Sequence, residues 1–304
     1  MRTAFINQLI EEAKSNEKIF LMVGDLGFTV VEPFQNMFPE RFLNAGIDEQ
    51  NMMGVAVGLA MNGYNVYVYS NGTFPTQRCM EQIRYDVAYH KASVKIVSIG
   101  AGYAYSSLGP SHHATEEMGM LRALPNLVVC SPSDPSEVKS ITKLSANYDG
   151  PMYIRLGKSG EKVIFPENCD SLGIGDLHRL KESSSENLLI SSGSILYEAA
   201  KWIDENGIDT AIYSVPYVKP INASMVLELA SRHNNIVVLE EHQKSCGLGS
   251  AILEVIGDLY ADGKIRQFPK VRRVAINDEF ISVAGSQNYL RSVAGLTLKK
   301  EYFV

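Results

Sequence analysis

No apolar run in the 304-residue chain approaches the roughly 18 residues of a membrane-spanning helix. There is no basic block either: 28 Lys and Arg stand against 34 Asp and Glu, a formal net charge of −6. The first absence argues against a membrane protein, the second against nucleic acid as the main partner. Cysteines are few. The four present, Cys79, Cys130, Cys169 and Cys246, are scattered without a C-x-x-C pair, which favours reduced thiols in a cytoplasmic protein over a disulfide framework or a zinc site. A dinucleotide G-x-G-x-x-G and a Walker loop are also missing. Residues 1–15 pattern as an amphipathic helix with Phe5, Leu9 and Ile10 inward. Glu11 and Glu12 leave no apolar core of the kind a signal peptide needs. Asn71-Gly72-Thr73 has the form of a glycosylation sequon and is read as a turn.

The chain does have the 45% hydrophobic and 20% charged composition of an ordinary globular protein, at a length that suits two domains. Apolar runs at 19–23, 65–69, 94–99, 127–130 and 152–156 read as strands. Between them, 51–61, 76–90, 116–123 and 135–147 read as helices. That rhythm predicts a parallel sheet covered on both faces. A polar stretch ending in Lys181-Glu182-Ser183-Ser184-Ser185-Glu186 interrupts it, and then it restarts. Strands are expected at 188–192, 210–215, 236–240 and 272–276, and helices at 195–206, 223–233, 249–261 and 287–293. The expected fold is therefore α/β, with two doubly wound domains at 1–166 and 187–304 joined by a linker at 167–186.

The segment Asn44-Ala45-Gly46-Ile47-Asp48-Glu49-Gln50-Asn51 places an acidic pair at a turn, directly before the small and apolar run 52–61. A carboxylate at such a junction is partly desolvated, so it must be paired, protonated or used. On these residues alone an N-cap or a salt bridge is the commoner reading.

An ordered set of further segments changes that balance. Gly24-Asp25-Leu26-Gly27, Gly46-Ile47-Asp48-Glu49-Gln50, Gly72-Thr73-Phe74 and Gly109-Pro110-Ser111-His112 follow one another. Downstream come Leu121-Arg122-Ala123-Leu124-Pro125-Asn126-Leu127, Ser131-Pro132-Ser133-Asp134, Ser192-Gly193-Ser194, and Glu240-Glu241-His242 with Gly247-Leu248-Gly249-Ser250. Together they resemble the C-terminal half of the transketolase and deoxyxylulose-phosphate synthase family: a pyrimidine-binding domain followed by the family's C-terminal domain.

The resemblance implies thiamine diphosphate as cofactor, with Glu49 as the catalytic carboxylate on the pyrimidine's N1′ nitrogen, where it favours the imino tautomer of the 4′-amino group. It implies cofactor contacts from Asp25, Leu26, Phe74 and Gln77, with Phe74 as the apolar wall. His112 matches a histidine that faces the substrate's oxygens and can donate, accept or shuttle a proton. His113 is expected to point elsewhere, and Asp48 to act as a cap or subunit contact. Arg78 and Lys158 are the weaker candidates for substrate binding, with Arg155 three residues before Lys158.

Departures from the family bear on substrate. Gln77 stands where transketolase has a second aromatic, Leu108 where it has an acid, Gly100 where it has a histidine, and Lys158 where it has an arginine whose bidentate fork lysine lacks. With Gly102, Tyr103 and Tyr105, these replacements suggest an open, aromatic rim and a donor or acceptor unlike the usual pentose and hexose phosphates.

The family's Gly-Asp-Gly motif with a downstream asparagine is absent. Gly24-Asp25-Leu26, Gly175-Asp176-Leu177 and Gly257-Asp258-Leu259 all lack it. The Mg2+ that neutralises a diphosphate needs oxygen ligands, so the resemblance implies a separate diphosphate-binding subunit that holds Mg2+, in an α2β2 assembly. No metal site is expected in this chain. Glu240-Glu241-His242 resembles a metal cluster, but neighbours on a strand face opposite ways.

Three functions remain open: two-carbon ketol transfer between sugars or sugar phosphates, a 2-oxo acid decarboxylating ligase or dehydrogenase beta subunit, and a non-catalytic binding or regulatory subunit.

Overall fold

A computed structural model describes residues 1–165 and 172–304. The first half supplies β1 (Ile19–Val23), β2 (Phe42–Asn44), β3 (Asn65–Asn71), β4 (Val94–Ile99), β5 (Val128–Cys130) and β6 (Met152–Leu156). The second supplies β7 (His178–Lys181), β8 (Asn187–Ser191), β9 (Ala211–Ser214), β10 (Tyr217–Lys219), β11 (Asn235–Gln243) and β12 (Lys270–Ile276). They form a seven-stranded sheet ordered β10-β5-β6-β4-β3-β1-β2 and a five-stranded sheet ordered β12-β11-β8-β9-β7. Each is parallel except at one edge, where β10 runs antiparallel to β5 and β7 to β9.

Helices cover both sheets: α1 (Arg2–Ser15), α2 (Glu32–Met37), α3 (Glu49–Met61), α4 (Met80–Gln82), α5 (Glu117–Arg122) and α6 (Pro135–Ala146) on the first, and α7 (Ile195–Glu205), α8 (Ala223–Arg232), α9 (Leu248–Ala261) and α10 (Gln287–Val293) on the second. This is the expected pair of α/β domains. Among the described residues no helix is long and apolar enough to cross a membrane.

The central strands β3, β4 and β6 are buried along their whole length, as strands covered on both faces must be. Lys95 on β4 is one instructive exception to their apolar character. Its ammonium donates to Ser93 Oγ (2.8 Å) and to the carbonyls of Tyr148 (2.8 Å) and Gly150 (2.9 Å). Burial still pushes it down to about 7. One apolar cluster runs continuously from Met22 and Val68 through Leu121 and Tyr153 to Val218 and Ile252, so the two domains share a core.

Three readings of the sequence need correction. Residues 178–181 of the expected linker form β7, an edge strand whose His-Arg-Leu-Lys composition hides it; residues 166–171, with Cys169, lie outside the described residues. The expected helix at 76–90 begins only at Met80 and opens at Ile83 into a π-helix that runs to Tyr89. β10 crosses from the second half of the chain to close the first sheet, a pairing no local pattern announces.

Candidate functional site

After β1 the chain moves to one side of the sheet to form β2, then returns on the other side of β1 to form β3. The crevice at the carboxyl ends of β1 and β3 is therefore a topological switch point, where open α/β sheets place ligands. Gly24 ends β1 there, Ser70 lies near the end of β3, and Glu49 opens α3 just beyond β2. A side chain at position 24 would place its Cβ 3.1 Å from Ser70 Oγ and 3.4 Å from Glu49 Oε1. The glycine leaves room for the carboxylate.

Glu49 is 1% exposed. Ser70 Oγ donates to its Oε1 at 3.1 Å, and Arg78 Nη1 donates to its Oε2 at 2.6 Å. The ion pair is lopsided, because the Arg78 side chain is 43% exposed. Its guanidinium also lies 4.6 Å from the centroid of the Phe74 ring, within cation–π range. Asp48 occupies the N-cap position of α3, but its side chain makes no capping bond.

The turn after β3 is fixed by its own polar groups. Thr76 Oγ1 and Ser98 Oγ both donate to the Gly72 carbonyl, and Cys79 Sγ donates to that of Phe74. Thr73 Oγ1 donates to the Ser111 carbonyl at 3.0 Å, tying the 109–113 loop down over the turn. His112 consequently meets Phe74 edge to face, with ring centroids 5.3 Å apart; its Nδ1 lies 3.0 Å from Ser111 Oγ. His113 points inward instead, against Tyr103 and the Ser106 carbonyl.

Glu49, Phe74, Arg78 and His112 thus form one cluster. Gln77 lies in the same turn, half-buried. Asp25 and Leu26 sit beside it at the end of β1. Asp25 has a left-handed backbone (φ 52°), its amide donates to Asn44 Oδ1, and its carboxylate accepts from Asn44 Nδ2. Leu26 leans on the core beneath α1.

Lys158 is placed apart from these contacts. It lies 5.6 Å from the Tyr105 ring and lines a cavity of about 380 Å³ with Ser133, Ser194 and Arg291. Arg155 is buried on Glu117 (2.5 Å) and cannot turn to a ligand. The open aromatic rim is not formed. Tyr103 is core, Glu241 fills the space beside Gly102, and the Tyr105 ring occupies the place a side chain at Gly100 would take. Leu108 is exposed.

The Glu240-Glu241-His242 strand sends its side chains to three different partners. Glu240 accepts from the Leu248 and Gly249 amides at the start of α9. Glu241 accepts from the Tyr103 amide and from Gln287 and Arg291. His242 Nε2 accepts from the Gly119 amide. Burial pushes Glu240 up to about 7 against the pull of its two amide donors, and burial lowers His242.

Sequence reasoning missed Ser70 and Thr73. Of the two, Ser70 carries a local signal, as a hydroxyl directly after the apolar and aromatic run 66–69 of β3.

A buried carboxylate acceptor beside an aromatic face is what the N1′–H and flat ring of an aminopyrimidine need, and a flat cationic donor holds both in this structure. The residues therefore fit the pyrimidine end of thiamine diphosphate.

The family profile "Transketolase, pyrimidine binding domain" matches residues 1–160, and "Transketolase, C-terminal domain" matches residues 175–299. The chain is 34% identical over 284 residues to a "Putative transketolase C-terminal section" of Methanocaldococcus jannaschii, covering 92% of this chain and 87% of that one. It is 28% identical over 295 residues to one of the subunits of the apulose-4-phosphate transketolase of Actinobacillus succinogenes, covering 96% and 92%. Among solved structures, a "Split gene transketolase, inactive beta4 tetramer" superposes with a TM-score of 0.84 at 34% identity, covering 97% of this chain and 93% of that one.

Proposed function

Because the chain belongs to the transketolase family, as a beta-type chain built of its pyrimidine-binding and C-terminal domains, we propose that it transfers a two-carbon ketol unit between sugars or sugar phosphates in an α2β2 assembly with a diphosphate-binding subunit. The observation that carries this reading is Glu49: a carboxylate buried at the switch point, with Phe74 and His112 at the same mouth.

Thiamine diphosphate, when bound, supplies the carbon nucleophile and electron sink for breaking and making the carbon–carbon bond. Each residue of the cluster has a part in holding it or serving it. Glu49 would hold the pyrimidine's N1′ by a hydrogen bond. Ser70 fixes the orientation of that carboxylate from behind. Phe74 offers an apolar face to the ring. Asp25, Leu26 and Gln77 rim the same crevice. His112 stands where it can give or take a proton at a sugar hydroxyl. The diphosphate and Mg2+ we assign to the partner subunit. Tyr105 in place of a side chain at position 100, together with Leu108, supports a donor or acceptor other than the usual pentose and hexose phosphates.

The test is to co-express the chain with a diphosphate-binding subunit and follow ketol transfer. Glu49→Gln is expected to lower kcat by ~10²–10⁴-fold; unchanged turnover would remove Glu49 from its role. Release of carbon dioxide from pyruvate would place the chain with the decarboxylating ligases. Absence of turnover with every partner would leave a binding subunit. Robust use of xylulose 5-phosphate with ribose 5-phosphate would contradict the substrate reading.

A further inference from the structure

Arg78 does to Glu49 and Phe74 what an aminopyrimidine would do. Its Nη1 donates to Glu49 Oε2 at 2.6 Å, and its guanidinium lies over the Phe74 ring at 4.6 Å. A guanidinium is flat, conjugated and edged with N–H donors. It satisfies in one group both features of the crevice, a buried acceptor and a half-buried aromatic face.

We propose that Arg78 is a built-in occupant of the pyrimidine place, which fills it in the free chain and must leave both Glu49 and Phe74 for the cofactor to enter. This rests on the reading above that Glu49 and Phe74 hold an aminopyrimidine.

The geometry makes the exchange feasible in one direction and costly to leave half done. The Arg78 side chain is 43% exposed and sits in the turn before α4, so it can swing into water without disturbing the core. Glu49 is 1% exposed and cannot follow. A carboxylate that stays buried after its partner departs keeps only the Ser70 hydroxyl as a side-chain donor and its charge is left unpaired, so the open form stays a minor state until another donor arrives. The chain is then pre-organised for a flat nitrogen-bearing ring yet closed to water and to weaker ligands. The closed fraction lowers apparent affinity in proportion: if one molecule in about a hundred is open, the observed Kd rises ~100-fold. Binding at the diphosphate end by the partner subunit supplies the extra affinity that displaces the arginine.

Thiamine itself is the probe, because it carries the aminopyrimidine without the diphosphate and so needs no Mg2+. Calorimetric titration of thiamine into the isolated full-length chain compares wild type, Arg78→Ala, Arg78→Lys and Arg78→Ala/Glu49→Gln. Arg78→Ala is expected to bind at least ~10-fold more tightly than wild type. Arg78→Lys keeps the charge but loses the flat fork, so it should fall between, and it guards against a folding defect in the alanine variant. The double variant should lose the gain. Arg78→Ala and Arg78→Lys both binding no more tightly than wild type, including no binding by any of the proteins, overturns the proposal. The reading of Glu49 fails separately, through unchanged ketol transfer by Glu49→Gln in the assembled enzyme.

Discussion

Two arginine–carboxylate pairs in this molecule have the same chemistry and opposite character. Glu117 and Arg155 lie 2.5 Å apart with both side chains at most 2% exposed. The same guanidinium donates to the carbonyls of Ala114 and Glu241, so it joins the first sheet to the second domain. Burial pushes the Glu117 carboxyl up, but Arg155 and His242 beside it, with its hydrogen bonds, together hold it below the ordinary range. Glu49 and Arg78 lie 2.6 Å apart, yet the Arg78 side chain is 43% in water, held by its bond to Glu49 and by the Phe74 face. A buried pair with its donors spoken for acts as a fastening. A buried carboxylate with a half-exposed arginine can change partners. Burial and the number of fixed hydrogen bonds, not the ion pair itself, decide which of the two a site becomes.

Substitutions should separate the two pairs. Glu49→Gln is expected to cost the assembled enzyme ~10²–10⁴ in kcat while leaving the denaturation midpoint nearly unchanged. Arg155→Met should do the reverse, removing about 3–5 kcal/mol of unfolding free energy by stranding a buried carboxylate, measured by urea denaturation.

Next in size is Gly102→Ala. The glycine has a positive φ of 58°, and a Cβ there would lie 2.5 Å from the Glu241 side chain. Left-handed strain and displacement of the junction carboxylate together should lower stability by about 1–3 kcal/mol. Arg78→Ala should cost less than Arg155→Met, about 1–3 kcal/mol: it too strands a buried carboxylate, but Ser70 still donates to Glu49 and water can enter where the half-exposed guanidinium stood. A loss as large as that of Arg155→Met would erase the contrast between the two pairs.

A pH slope is expected at Glu240. Its folded pKa of about 7 lies above the 4.5 of an ordinary glutamate. The stability it contributes is therefore fully present below about 4.5 and is lost as pH rises through about 7. The slope is at most about 1.4 kcal/mol per pH unit, and Glu240→Gln should flatten it between pH 5 and 7.

The parts of the site that sequence made legible are those whose meaning is local. Glu49, Phe74 and His112 each sit in a short contiguous motif, and the strand–helix rhythm announced the fold class. What it could not announce depends on which strands lie side by side. Ser70 matters only because β3 runs next to β1 and brings its hydroxyl to a carboxylate 21 residues away. Thr73 matters because its turn meets the 109–113 loop. β7 was hidden by its polarity and β10 by its departure from its own domain. Tyr105 looked like part of an open rim because nothing in its neighbours' identity shows that its ring fills the space beside Gly100. Arg78, read as a substrate residue, donates to Glu49, through a turn whose backbone geometry the sequence does not encode in any short pattern.

The central claim is that this chain supplies one end of a cofactor site and a partner the other. Titrating thiamine diphosphate with Mg2+ into this chain, into a diphosphate-binding subunit and into their equimolar mixture tests it. The mixture is expected to bind ~10²–10⁴ times more tightly than either chain alone, because each end raises the effective concentration of the other. Binding by this chain alone as tight as that of the mixture would contradict it.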